Sequence, residues 1–337
     1  MADEQKLKKI HWYRSPIDRE TLARLNHRND AKGLVQTMGH LALLMVTSAA
    51  AFYAAAQQSW LLLLLILFLH GTIYAFLLNG FHELCHSSVF NTPALNRLFL
   101  GLFSFLGQYN PILFWTSHQE HHKYTLHPPD DLEVVLPVEL TLQSFLKCAV
   151  VNPWGFYNRW KGVVWLSLGR LEGEWENILF PPSKPAHREQ LFNWARTLLI
   201  GHLLLLALSL YFGVWLLPVL ITAAPYYAGW LLYLCNNTQH AGLADYKPDF
   251  RLCTRTIILN PVVQFLYWHM NFHTEHHMYA AVPCYNLSHL HQEITQDLPP
   301  SPVGLYATWR QIITILQRQK VDPNYQYMPP LPASTTT

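Results

Sequence analysis

"SWLLLLLILFLHGTIYAFLLNGFHELCH", residues 59–86, decides the fold. Its first twenty or so positions are uncharged and almost wholly apolar, and at about 1.5 Å per residue they form a helix long enough for roughly 30 Å of hydrocarbon. Just beyond the apolar run stand His82 and His86, four residues apart and so on one face if the helix continues. A membrane span thus delivers two potential metal ligands to one membrane surface.

Working outward, an apolar run from Leu34 to Ala56 precedes this stretch, with only Gln57 and Gln58 clearly polar between the two. They read as a hairpin of spans, 34–56 and 59–79. Two further spans are expected at 197–212 and 215–235, joined by a short uncharged turn. Both turns lack Lys and Arg; the arm 1–33, the segment 80–196 and the region after 236 hold all of them. The positive-inside rule then puts these three regions, and both termini, in the cytosol. The arm carries Lys6, Lys8, Lys9, Arg14, Arg19, Arg24, Arg28 and Lys32, too long and too charged a segment for the start of a cleavable signal peptide. Leu98–Trp115 is broken by Gln108, Asn110 and Pro111, and Val138–Val151 is amphipathic, so both are expected to be interfacial or re-entrant. The expected fold is an all-α polytopic membrane protein. It has four transmembrane helices and a cytosolic helical cap holding a di-metal site, within a domain 34–295 flanked by the arm 1–33 and a tail 296–337.

Composition agrees: the chain is 51% hydrophobic and 13% charged, against about 25% charged for a soluble domain. A net charge of +2, with no basic block interleaved with aromatics, argues against nucleic acid as a partner. Five scattered cysteines (Cys85, Cys148, Cys235, Cys253, Cys284) cannot all pair internally and suggest reduced thiols rather than a disulfide framework.

Among the 19 histidines, the spacing H-x-x-H-H occurs twice, at His118, His121, His122 and at His273, His276, His277. Random placement gives roughly 0.06 copies per chain, so the repetition is a signal. Asn236 and His240, spaced i to i+4, leave the fourth expected span. All four clusters fall on the cytosolic side of the expected topology, each able to aim its side chains from one helix face. Nine imidazoles exceed the needs of one ion, since structural zinc takes four ligands and catalytic zinc three plus water. Two metals are implied, and imidazole alone does not choose among Fe, Zn, Cu and Ni. Glu83 and His86 make only one Glu-x-x-His pair, where the soluble carboxylate-bridged di-iron bundles use two.

"HELCH", "HQEHH" and "HTEHH", with "NNTQH" before the last, resemble the histidine boxes of the membrane fatty acid desaturase superfamily over roughly residues 35–295. The resemblance implies two iron ions, with His82, His86, His118, His121, His122, His240, His273, His276 and His277 as ligands and Asn236 holding a water on one iron. It implies an oxidoreductase that uses O2 as co-substrate on an unactivated C–H bond, first of all a fatty acyl desaturase. A hydroxylase, an oxidative demethylase and a terminal-alkene-forming decarboxylase are the alternatives on the same site. A fatty acyl or lipid substrate is implied. So is an external electron donor, a ferredoxin or a cytochrome-type carrier with its reductase, since no dinucleotide fingerprint or fused haem or Cys-rich segment is found. The stretch "DFRLCTRTIILNPVVQFLYWHMNFHTEHHMYAAVPCYNLSHLH" resembles a bacterial branch, which implies a bacterial inner membrane. His269 stands where that branch has Asn; whether it is a tenth ligand, a supporting group or neither stays open.

Other polar residues have two readings each. Glu120, Glu275, Asp130 and Asp131 flank the boxes and could orient ligand rings or be ordinary solvated acids. His40, His70 and His202 lie within expected spans, where an ionisable group suggests function but a helix-to-helix hydrogen bond is the plainer role. Trp60, Trp215, Tyr226, Tyr227 and Trp230 read as an interfacial belt, and His289 and His291 as structural. The reading from another class is a non-catalytic metal-binding or metal-transporting membrane protein. Transport would call for ligands at mid-membrane depth rather than beyond the span ends.

Overall fold

The computed structural model describes residues 9–136, 138 and 140–332. Lys6 and Lys8 of the basic arm, Glu139 of the second amphipathic stretch and the closing "ASTTT" lie outside the described residues. Among these the chain is helical throughout its regular structure, with isolated bridges and no strand.

Helix α1 (Arg19–Leu25) starts at Asp18, whose side chain accepts from the Thr21 N–H. Helix α2 (Asp30–Ala56) starts the same way at Asn29, and its 27 residues span about 40 Å. After a turn with Gln58 at φ 55°, α3 (Trp60–Ala75) packs along α2. It passes through a kink at Phe76 into α4 (Leu77–Cys85), so Trp60–Cys85 makes one apolar rod that ends in the first histidine pair. The rod and α2 are inside-out relative to a soluble protein: Leu61 is 73% exposed, while Gln36, Thr37, His40, Thr47 and His70 are buried.

Helices α5 (Pro93–Gly107) and α6 (Pro111–Tyr124) meet at 101°. The break sits at the polar interruption seen in the sequence: Gln108 adopts φ 58°, and the Asn110 side chain accepts from the Ile112 and Leu113 N–H groups. Pro111 takes the first helical position, where its missing N–H costs nothing. The second amphipathic stretch becomes α7 (Leu142–Ala149), with a Thr141/Ser144 capping box, followed by α8 (Pro153–Ser167) and the short α9 (Glu174–Leu179). Helix α10 (Pro185–Tyr211) packs on α8.

Residues 215–235 do not form the single helix expected of a fourth span. They divide into α11 (Leu216–Leu220), a 3-10 turn at Ala224–Tyr226 and α12 (Trp230–Asn236). Pro225 cannot donate to a helical ladder, and Ala228 adopts φ 54°. The freed N–H groups of Ala228 and Gly229 donate instead to the carbonyls of Val150 and Cys148, beside α7. Among the described residues three helices are therefore long and apolar enough to cross a membrane: α2, the α3–α4 rod and α10. The bent α5–α6 pair makes a fourth if it is one span.

Short helices follow: α13 (Phe250–Cys253), α14 (Pro261–Leu266), α15 (His273–Met278) and α16 (Leu287–Ile294), then α17 (Gly304–Val321). The main core, built on Phe76, Phe81, Phe103, Tyr267 and Trp268, lies where α4, α5 and the segment before α15 converge. The five cysteines are free.

The three intramembrane histidines are satisfied between helices. His40 sits 3.1 Å from the Ile73 carbonyl and accepts from the Trp268 indole. His70 bridges Thr47 and the Leu220 carbonyl. His202 bridges Thr222 and the Phe105 carbonyl. They tie helices together and make no contact with the histidine cluster. Of the supposed aromatic belt, Trp60 and Trp215 are exposed, but Tyr226, Tyr227 and Trp230 turn inward to Gln108, the Val219 carbonyl and Thr72. Those three lie on the broken segment, which has no outward helical face to present them.

Candidate metal centre

Four helical pieces bring the nine box histidines together. The end of α4 carries His82 and His86, and the last turns of α6 carry His118, His121 and His122. The turn after α12 carries His240, and α15, only six residues long, carries His273, His276 and His277. All but His86 and His122 are buried, and those two are half-buried.

The rings fall into two groups. His82, His86, His118, His122 and His276 each offer a ring nitrogen within 4.8 Å of the others, as do His121, His240 and His277. His273 joins the second group, with its Nε2 2.9 Å from His240 Nε2 and 3.2 Å from His277 Nε2. Asn236 lies beside the cluster rather than within it. Its Oδ1 accepts from Asn79 at 3.3 Å, and it shares the wall of a 120 Å³ cavity with His82, His118, His121, His240 and His273.

The tautomers follow from what the outer nitrogens touch. His82 Nδ1 lies 3.0 Å from Glu83, and His118 Nδ1 lies 2.7 Å from Glu133. His121 Nδ1 lies 2.8 Å from Asp131, and His240 Nδ1 lies 2.8 Å from the Cys253 carbonyl. The Cys253 carbonyl accepts, and so do the acids when ionised, so in that state each imidazole places its proton on Nδ1 and leaves Nε2 a bare lone pair; burial pushes Glu83 up to about 8. Yet His82 Nε2 and His118 Nε2 face each other at 2.8 Å, and His122 Nε2 approaches the latter at 3.0 Å. Bare lone pairs repel at that distance unless a proton or a metal cation lies among them. Nitrogens bound at about 2.0–2.1 Å on adjacent positions of one metal ion stand about 3 Å apart, so the residues present fit a metal. The unpartnered Nε2 atoms of His86 and His276 agree.

Electrostatics keep most of the rings in the ligand form; at His121 burial is outweighed by the Asp131 hydrogen bond, and the pKa rises. Burial, reinforced by the neighbouring His121, pushes His240 down to about 3. Burial and then mutual repulsion hold His273, His276 and His277 well below the ordinary imidazole range. Neutral imidazole is what a metal needs.

The supporting acids differ in part from the sequence reading. Asp131 is buried against His121 and also accepts from the Leu126 N–H; its hydrogen bonds outweigh burial and lower its pKa. Glu120 instead pairs with Lys123 at the surface, 2.7 Å away, Asp130 touches no box histidine, and Glu275 is buried between Thr256 and His291. Glu83, dismissed in sequence as half of a soluble di-iron motif, sits between His82 and His276. Glu133 and Thr125 escaped sequence reading altogether. Glu133 holds His118 and Ser117, and Thr125 accepts from His277 Nδ1. The available signal was an acid-rich "DDLE" close behind a box. His269 lies outside both groups: it adopts φ 58° and its Nδ1 meets the Gln264 side chain at 3.1 Å.

A family model for fatty acid desaturases matches residues 58–309, a segment holding every histidine of the cluster. The sphingolipid delta(4)-desaturase DES1-like protein of Oryza sativa subsp. japonica is 24% identical over 250 residues, 72% of this chain and 66% of that protein. The protein of the same description from Arabidopsis thaliana is 23% identical over 236 residues, 69% of this chain and 62% of that protein. The chain thus spans just under two thirds of the length of these curated relatives. With the family model covering well over half of it, the chain belongs to the fatty acid desaturase family.

Proposed function

We propose that the protein is an O2-dependent di-iron oxidoreductase that introduces a double bond into a fatty acyl chain within a membrane. The observation that carries the metal is the pair of bare nitrogens, His82 Nε2 and His118 Nε2, facing each other at 2.8 Å. Iron is preferred to zinc because oxidising an unactivated C–H bond needs a metal that changes oxidation state. One iron would be held by His82, His86, His118, His122 and His276. The other would be held by His121, His240, His273 and His277, with Asn236 contributing through a water. The irons, once bound, would direct the oxidising power of O2 to the removal of two hydrogens from adjacent carbons: R–CH2–CH2–R′ + O2 + 2e− + 2H+ gives R–CH=CH–R′ + 2H2O.

The chain's own residues do the rest. Glu83, Glu133, Asp131 and the Cys253 carbonyl fix ring orientation and tautomer. Leu78, Phe114 and Met270 line the adjoining cavity with apolar surface, where a methylene chain would lie and from which it would exclude water. Asn79 holds the Asn236 amide in place. The two electrons are assigned to an external carrier, a ferredoxin or a cytochrome-type protein with its reductase. The histidine cluster and both termini are assigned to the cytosolic side of a multi-pass membrane domain over 34–295.

The relatives' printed description favours desaturation over hydroxylation, demethylation or decarboxylation. Expression with iron, metal analysis and gas chromatography of the lipids test the proposal. We expect close to two irons per chain, a new alkene, and loss of both iron and product in His121→Ala. A hydroxylated or chain-shortened product would sink desaturation, and iron-free protein that keeps its function would sink the oxidoreductase.

A further inference from the structure

We propose that the substrate carries an oxyanionic head group, a carboxylate or a phosphate, held by Arg159 and Arg170 in a cleft beside α8. The inference rests on reading the histidine cluster as the centre that oxidises an acyl chain, and it names the substrate class.

Three spaces lie in sequence. The cavity against the histidines shares Asn236 with a second cavity of 230 Å³. Ala75, Pro225 and Leu232 give the second an apolar wall, and Tyr109 and Tyr226 stand at its other side. Beyond these two tyrosines opens a cleft of 410 Å³ among α6, α8 and α10, to which Gln108, Arg159 and Arg170 contribute. Each tyrosine touches a residue that lines this cleft. Tyr226 donates its hydroxyl to Gln108, and the Arg159 guanidinium lies 5.5 Å from the Tyr109 ring.

Two arginines and two glutamates line the cleft, yet they do not pair with each other. Among the described residues neither Arg159 nor Arg170 pairs with a carboxylate; Arg170 stacks 4.8 Å over Trp165. Two acids share the cleft, but Glu172 is matched by Lys161 at 3.2 Å and Glu176 folds back over Gly173. The setting is that of a lipid head: α8 turns Trp154, 65% exposed, and Tyr157 outward with Leu168 just beyond its end, a pattern suited to the boundary between water and hydrocarbon. Guanidinium binds carboxylate and phosphate through paired hydrogen bonds. A neutral hydroxyl or amide head would leave both arginines unmatched. With the head fixed there and the chain passing between Tyr109 and Tyr226, the distance to Asn236 selects which carbon reaches the histidines.

The test uses three C18 amphiphiles, stearate, octadecyl phosphate and octadecanol. Their binding is measured by tryptophan fluorescence on metal-free protein in nanodiscs, and their turnover on iron-loaded protein. Arg159→Gln should weaken both anions about tenfold or more, leave octadecanol within roughly twofold, and raise KM without lowering kcat. Arg170→Gln should act in the same direction, and Arg159→Lys should restore much of the binding. Whichever anion binds wild type more tightly identifies the head as carboxylate or phosphate. Equal binding of all three by wild type, or an equal loss of all three in Arg159→Gln, overturns the proposal. Anion-selective binding without any oxidised product overturns the di-iron reading and leaves the cleft standing.

Discussion

At the scale of single residues, the cluster depends on atoms that never touch a metal. Glu133 holds the His118 ring at 2.7 Å and Ser117 at 2.7 Å, so Glu133→Gln should keep the fold but let the ring turn or change tautomer. Loss of such a partner typically costs about 10–100-fold in metal affinity; competition with a calibrated chelator measures it, and an unchanged affinity would remove Glu133 from the site. His269 offers a pH-dependent counterpart. Burial pushes it from 6.5 down to about 4, so the folded chain keeps it neutral where the unfolded chain is protonated. Above about 6.5 both states are neutral and stability is complete. As pH falls from 6.5 to 4 only the unfolded chain takes up the proton, and stability is lost on the order of 2 kcal/mol. His269→Asn removes the titration and tolerates the positive φ. Its melting temperature should therefore fall less than that of wild type between pH 6.5 and 4, and parallel curves would refute the assignment.

At the scale of elements, what the sequence made legible was whatever its local pattern controls. The 59–79 run and the Gln108–Pro111 break were readable because hydropathy and a missing N–H act within a few residues; the capped start at Asn29 was not read, and the expected span begins four residues late, at Leu34. The broken course of 215–235 was not readable, since the carbonyls that receive its freed N–H groups belong to Val150 and Cys148, distant in the chain. The nine histidines were readable as a set through their spacing. The division into two groups and the role of Glu133 were not, because they follow from how α4, α6 and α15 meet. That meeting is tight at Gly80, where an added Cβ would lie 2.4 Å from the Phe103 ring and 2.6 Å from that of Trp268. Both rings are fully buried and cannot yield. Gly80→Ala should cost about 1–3 kcal/mol by overpacking and, by shifting His82 two residues on, lower metal content as well. Gly101→Ala, with nothing within 4 Å, should be neutral or slightly stabilising in the same thermal melt.

At the scale of the whole molecule, the proposed sidedness rests on one asymmetry. His82 stands at the far end of the 26-residue Trp60–Cys85 rod from the Gln57–Gln58 turn, and at about 1.5 Å per residue the two are close to 40 Å apart, more than a hydrocarbon core. No Lys or Arg lies between Leu34 and Asn79, whereas basic residues crowd the segments joined to the histidines. In the proposed topology, charge bias retains the histidine end in the cytosol and exports the turn. Single cysteines report this directly. Four native thiols are buried, and replacing the half-buried Cys148 with Ser leaves a quiet background. In intact cells a membrane-impermeant maleimide should label Gln58→Cys, at an exposed turn, and should reach Tyr246→Cys, at a position 57% exposed near the Pro128 carbonyl, only after permeabilisation. The reverse order would invert the molecule in its membrane. It would move the histidine cluster to the side where a cytosolic one-electron carrier could not reduce it, so the donor would have to be sought across the membrane.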